Sequence, residues 1–273
     1  MPAEHRAPLA ERLRAGERLA GLIVKIPGPQ VVECAGHSGY DLVVIDTEHG
    51  PADTEALEHH LRAAASAGIP ALVRVSGLAR GEVLRALDAG ADGVVVPQVE
   101  NAAAAAQAVA LAHYPPRGAR GLATSTRAGR HCMTDVREHV RRARERTLVI
   151  AQVEDVAAVP HAAAIAAEPG IDGVFLGPTD LSMSLGHPGE LSHPRVAATI
   201  DSVTEQVQAV GGAAMLALVG SEQEARAWWG RGAQVVLFVA AAVISKRLSE
   251  IACALDGARA ELDGEAVLEE VGP

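Results

Sequence analysis

Three short stretches of this chain end an apolar, β-branched run in residues capable of chemistry. They are Ile45-Asp46-Thr47-Glu48-His49, the Glu154 that closes Val149-Ile150-Ala151-Gln152-Val153-Glu154, and the Asp180 of Gly177-Pro178-Thr179-Asp180-Leu181-Ser182. Glu154 and Asp180, if brought together, could share one hard divalent cation and leave positions open for water and substrate oxygens. His49 could move protons near neutral pH. Structural readings stand beside these: Asp180 could N-cap a short segment over 181–185, and Glu154 could cap a helix beginning near Val156.

Arg74 interrupts the otherwise apolar Ala71-Leu72-Val73-Arg74-Val75. A guanidinium there needs an anionic partner. Asp46 or Glu48 could provide it, as could a substrate carboxylate gripped through two N–H groups, and both can hold at once. Asp88, in Arg85-Ala86-Leu87-Asp88-Ala89-Gly90, could orient the His49 imidazole and raise its basicity; it also reads as a polar residue ending a helix. Ser125 and Ser182 lack the context of an activated nucleophile. His59 and His60 read as exposed helix positions, and Trp228-Trp229 as packing or subunit contact.

The elements that must position these residues alternate regularly. Strand-like runs cover 21–26, 41–46, 70–75, 93–97, 148–154, 173–176, 213–219 and 234–239, with helical patterns over 54–67, 80–89, 102–113, 156–167, 194–210 and 222–231. Helix-stopping glycines announce several strands, as in Ala67-Gly68-Ile69-Pro70. Such alternation implies parallel strands with helical crossovers, and about eight units favour a closed (β/α)₈ barrel whose active site lies at the strands' C-terminal rim. An open dinucleotide-binding sheet would want a glycine-rich first turn; Lys25-Ile26-Pro27-Gly28-Pro29-Gln30 is not one. The barrel is expected to span 1–258, followed by an acidic tail over 259–273, with fraying from about 256. The long irregular stretch 114–131 is expected to cover the active site.

Composition sets the limits. The chain has 273 residues, 49% of them hydrophobic but only 2% aromatic, so aliphatic packing must form the core. A formal charge of −10 argues against a nucleic-acid or anionic-membrane surface. Three scattered cysteines (Cys34, Cys132, Cys253) form neither a disulfide framework nor a zinc motif. With no apolar leader and no membrane-length apolar run, a cytoplasmic protein is expected.

The ordered set Asp46-x-Glu48-His49, Val73-Arg74-Val75, Leu87-Asp88-Ala89-Gly90-Ala91-Asp92-Gly93, Tyr114-Pro115-Pro116-Arg117-Gly118-x-Arg120-Gly121, Gln152-Val153-Glu154 and Gly173–Ser182 resembles the class II pyruvate aldolases. These are the 4-hydroxy-2-oxoheptanedioate and 2-dehydro-3-deoxyglucarate aldolases, more distantly related to the citrate lyase β subunit; the resemblance runs from about Leu13 to about Leu255. It implies a (β/α)₈ barrel, paired by exchange of the last helix and assembled as a hexamer of three dimers. It further implies Glu154 and Asp180 as ligands of Mg²⁺, Mn²⁺ or Co²⁺. Arg74, Gln152, Thr179 and Asp46 would line the substrate site, and His49 supported by Asp88 would be the acid–base group.

The reaction implied is reversible cleavage of a 4-hydroxy-2-oxo acid to pyruvate and an aldehyde. The same motifs would serve a citryl-thioester lyase or a citrate-forming condensation with oxaloacetate; a CoA ester would call for a basic groove, for which the arginines of 117–130 are the only nearby candidates. A metal-stabilised enolate needs no Schiff-base lysine, which fits a chain whose only lysines are Lys25 and Lys246; Lys25, near the end of the first strand, keeps a lysine-based route open. Departures from the family pattern at 123–131, Asp155 and Thr179 point to the second substrate and not to the metal.

Overall fold

The structure is a computed structural model describing residues 7–50 and 53–269. Helix α1 (Leu9–Arg14) precedes eight strands: β1 (Leu19–Val24), β2 (Leu42–Asp46), β3 (Ala71–Arg74), β4 (Gly93–Val96), β5 (Leu148–Val153), β6 (Gly173–Leu176), β7 (Ala214–Leu218) and β8 (Val235–Val239). Each pairs in parallel with the next, and β8 pairs with β1, closing the barrel. Between them run α2 (Pro29–His37), α3 (Thr54–Ala67), α4 (Arg80–Asp88), α5 (Ala102–Ala112) with α6 (Val136–Arg146), then α7 (Ala162–Ala167), α8 (Pro178–Ser184) with α9 (Pro194–Val210), and α10 (Glu222–Gly230). Helix α11 (Ala240–Glu269) follows β8. The (β/α)₈ expectation holds.

Period-two alternation along the strands builds two cores. Leu19, Ile23, Leu42, Val44, Leu72, Val95, Leu148, Ile150, Phe175, Leu216 and Leu237 pack together inside the barrel, and Leu9, Ala10 and Leu13 of α1 join them. That helix therefore plugs the strands' N-terminal mouth, where Arg12 binds Asp41 at 2.7 Å. The alternate positions, such as Val43, Ile45, Val73, Val94, Val149, Ala151 and Val153, pack against the helices.

A repeated device fixes the lower end. Asp41, just before β2, accepts the Ala20 N–H of β1 at 2.9 Å. Asp92 before β4 does the same for Ala71 of β3 at 2.9 Å, and Asp172 before β6 for Val149 of β5 at 3.0 Å. Burial pushes the Asp92 and Asp172 carboxyls up, while these amides oppose the shift.

Four expectations need correction. The stretch 114–131 leaves from the C-terminal end of α5, so it lies at the lower end of the barrel and not over the strand rim; the Ala128 N–H meets the Asp88 carbonyl and Arg127 meets that of Ala89. His60 is buried at 3% exposure, with its ring nitrogens 2.6 Å from the Ala56 carbonyl and 3.1 Å from that of Ile26. The helix expected over 156–167 is split: Pro160, which cannot donate to a helical ladder, lies in a 3₁₀ segment (Val156–His161) ahead of α7. Residues 256–269, expected to fray, continue α11 as helix, while 270–273 lie outside the described residues.

Candidate active site

Extending the inward alternation of each strand past its last apolar residue generates the polar layer at the upper rim. Asp46 follows Leu42 and Val44, Arg74 follows Leu72, and Gln152 with Glu154 follow Leu148 and Ile150. Asp46 and Arg74 are register partners on neighbouring strands. Arg74 Nε donates to Asp46 Oδ1 at 3.0 Å and Nη2 to Oδ2 at 2.5 Å. Asp46 Oδ1 also accepts the Glu48 and His49 amides at 3.1 and 3.3 Å, which shapes the turn leaving β2. Burial alone would raise the Asp46 carboxyl, but the guanidinium and the two amides outweigh it, and the net shift is downward. Arg74 Nη1 lies 3.4 Å from both Gln152 Oε1 and Glu48 Oε2, so the arginine ties three strand ends together.

Glu154 is 6% exposed. Its Oε1 accepts the Gln98 N–H at 2.9 Å, and its Oε2 accepts the Gln152 amide. Burial pushes its carboxyl up to about 7; these two donors oppose the shift, and the charges of Glu48 and Asp180 add to it. Burial likewise raises Glu48, against the pull of Arg74 and His49. Gly177 makes this packing possible, since a Cβ there would lie 2.7 Å from Glu154 Cβ and 2.9 Å from its Oε2. Asp180 stands in the first turn of α8, whose N-cap is Gly177, so Asp180 is not the cap. Nor does Glu154 cap the following segment: Asp155 does, accepting the Ala157 N–H at 2.8 Å.

Ile23, Lys25, His49, Arg74, Gln152, Phe175, Gly177, Thr179, Asp180, Leu218 and Val239 are among the residues lining a cleft of about 270 Å³ at this rim. His49 is half-exposed, with Nε2 3.8 Å from Glu48 Oε2. Asp88 is elsewhere: it ends α4 at the lower end of the barrel, where its carboxylate takes Arg120 Nη2 at 2.8 Å, so within one chain it does not meet His49.

Among the described residues no group of three or more His, Cys, Asp or Glu side chains forms a ready-made metal cage. The donor chemistry nevertheless suits a hard cation. Buried Glu154 feels the charges of two further carboxylates, Glu48 and Asp180, and Glu48 Oε2 is a buried oxygen without a hydrogen-bond donor. A Mg²⁺-type ion asks for only one or two protein carboxylates and fills its other positions with water and substrate. Gln98 was not legible as a site residue, although its left-handed backbone (φ 55°) after β4 aims its N–H at Glu154.

A closed parallel barrel with carboxylates, an arginine and a histidine converging on its C-terminal rim defines an enzyme of the (β/α)₈ class, and comparison with known proteins narrows that class to carbon–carbon lyases. The chain belongs to the HpcH/HpaI aldolase/citrate lyase family, whose model matches residues 20–244. It is 36% identical over 245 residues to the hydroxypyruvate/pyruvate aldolase of Pseudomonas aeruginosa, covering 89% of this chain and 90% of that one. A family protein from Burkholderia cenocepacia superposes with a TM-score of 0.85 at 36% identity, covering 92% of this chain and 98% of that one. The citrate synthase SbnG superposes with 0.83 at 32% identity, covering 94% and 99%.

Proposed function

We propose that this chain catalyses the reversible, divalent-metal-dependent cleavage of a 4-hydroxy-2-oxo acid to pyruvate and an aldehyde. The observation that carries the reading is the buried Glu154 carboxylate, packed against Gly177 and held by Gln98 and Gln152 beside a cleft lined by Arg74, Gln152 and Asp180. Glu154 and Asp180 would hold the cation, which supplies Lewis-acid stabilisation of the enolate oxygen. Arg74, locked by Asp46, would orient the 2-oxo acid through its Nη1 edge, with Gln152 and Thr179 beside it. His49 would take the C4 hydroxyl proton while the C3–C4 electron pair passes into the pyruvate enolate and the aldehyde leaves. Asp88 could support a His49 imidazole only if a second copy laid its lower end over this rim.

The citrate-type alternative draws on the likeness to SbnG. Its thioester form asks for a basic groove to take a CoA ester, yet Arg120 and Arg127 are engaged at the barrel's opposite end by Asp88 and the Ala89 carbonyl. That argues against the thioester form, and the aldolases among the relatives favour the aldol reading over a condensation with oxaloacetate. A metal-supplemented screen of 4-hydroxy-2-oxo acids with pyruvate detection tests it; no pyruvate with Mg²⁺, Mn²⁺ or Co²⁺ would overturn it.

A homo-oligomer is part of the same proposal. On α11, Ile244, Leu248, Ile251, Leu255 and Leu262 are all exposed by 41% or more, at spacings of four, three, four and seven residues, the pattern of a helix seam. Light scattering that gave a monomer would remove it. A cytoplasmic location fits the three exposed, unpaired cysteines, and among the described residues no helix is long and apolar enough to cross a membrane.

A further inference from the structure

We infer that Lys25 is a specificity-determining residue that binds an anionic group on the second substrate, so that the preferred aldehyde carries its own carboxylate. This rests on the aldol reading above. Lys25 continues the inward face of β1 one step beyond Leu19 and Ile23, and it lines the same cleft as Arg74 and Asp180. In the closed ring β1 lies opposite β5, so Lys25 and Glu154 follow strand ends on opposite sides of the barrel mouth. A 2-oxo acid anchored on the Glu154 side leaves the Lys25 side for the group it reacts with. Beyond Asp46 and His49 of the neighbouring β2 end, that side is walled by the apolar Ile23, Leu218 and Val239.

Charge accounting singles out this ammonium. Its Nζ stands 3.6 Å from Asp46 Oδ2, beyond hydrogen-bond reach, and its side chain is 34% exposed. Asp46 is already occupied by two guanidinium N–H groups and two backbone amides, so it offers Lys25 Coulomb attraction without a bond. Three N–H donors on a compact cation thus remain for an incoming acceptor, held toward the cleft by the carboxylate behind them. A second-substrate carboxylate supplies that acceptor; a neutral hydroxyaldehyde brings no charge to match it.

The test compares acceptors of equal carbon-chain length with and without a carboxylate, glyoxylate against glycolaldehyde and 4-oxobutanoate against butanal, in the condensation direction with pyruvate and metal. The wild type should prefer the acidic member of at least one pair by kcat/KM. Lys25→Met should lower that preference roughly tenfold, chiefly through the acceptor KM, the size expected for one charge-assisted hydrogen bond at a partly exposed site. Lys25→Arg should retain most of it. Exchange of pyruvate C3 protons with solvent deuterium, measured without acceptor, reports enolate formation independently. An unchanged acidic-to-neutral ratio in a Lys25→Met protein that still exchanges would overturn the inference. So would borohydride trapping of pyruvate on Lys25, or loss of exchange in both variants, since either would place Lys25 in the enolate half-reaction. If the wild type itself fails to exchange with every metal, the aldol reading falls, and the inference with it.

Discussion

Arg74 has two tasks in this structure, and a pair of substitutions separates them. Arg74→Met removes the guanidinium but leaves the Asp46 carboxylate at 1% exposure with only two backbone amides and the distant Lys25 ammonium. Breaking one side of a buried pair costs about 3–5 kcal/mol, and the surviving amides place the expectation near the lower end. The double variant Asp46→Asn/Arg74→Met removes the stranded charge and should regain most of that loss, to within about 1–2 kcal/mol of the parent. Activity should follow a different course. The Nη1 contact proposed for the 2-oxo acid is absent from both variants, so kcat/KM should fall by about 2–4 kcal/mol of transition-state stabilisation, roughly 30- to 1000-fold, in each.

Urea unfolding and steady-state cleavage on the same preparations give both numbers. Asp46 has a lowered native pKa, so the pair's contribution is fully present above the unfolded value of about 3.9 and is lost as pH falls through the lower native one. In Arg74→Met burial is opposed only by the two amides, so the variant's Asp46 carboxyl is raised. The stability gap between wild type and Arg74→Met should therefore narrow as falling pH protonates that stranded carboxylate, and close fully only below the lowered wild-type value. Recovery of activity in the double variant would make Arg74 purely structural. Equal stability of the single and double variants would refute the claim that the charge is stranded.

Glu154 has the opposite sign: its native carboxyl is raised from 4.5 to about 7, so the metal-free protein should lose stability as pH rises through that window. Metal binding at pH 6 should release close to one proton by calorimetry, an effect Glu154→Gln should abolish; binding without proton release would contradict the assignment. Gly177→Ala, whose native φ of −93° suits any residue, should lower metal affinity by about tenfold by displacing the Glu154 carboxylate. Unchanged affinity in that variant would mean that Glu154 is not held there for a cation. His49→Ala should slow cleavage roughly 10²–10⁴-fold with metal affinity nearly intact, and a parental rate across pH 6–9 would remove His49 from the reaction.

The barrel and most of its rim were legible because both follow from one rule. The alternation that puts Leu42, Val44 and Leu72 inside carries Asp46 and Arg74 to the mouth, and a polar residue ending an apolar strand is visible without coordinates. The same rule, carried one residue past β1, would have placed Lys25 in the cleft. Residues whose roles depend on contacts between distant elements were not legible. His60 looked like a surface residue because helix periodicity cannot show that the Ile26 carbonyl lies above it. Asp88 seemed able to reach His49, yet a residue that ends a helix lies a helix length below one that ends a strand. The segment 114–131 was assigned to the rim because α6 had gone unrecognised, hiding the fact that the chain had already descended along α5.

The aspartates at the lower end join the strands two by two, β1 with β2, β3 with β4 and β5 with β6, and among the described residues no such aspartate bond crosses from β6 to β7. Between those last two strands, the Gly211-Gly212 turn after α9 is exposed, and a Cβ added at either glycine would meet nothing within 4 Å. It is the place where an inserted reporter domain, or a protease cut, would part the polypeptide between pinned pairs and far from the catalytic rim. For anyone wishing to immobilise this enzyme, label it or split it into reassembling halves, that turn is the natural point of entry.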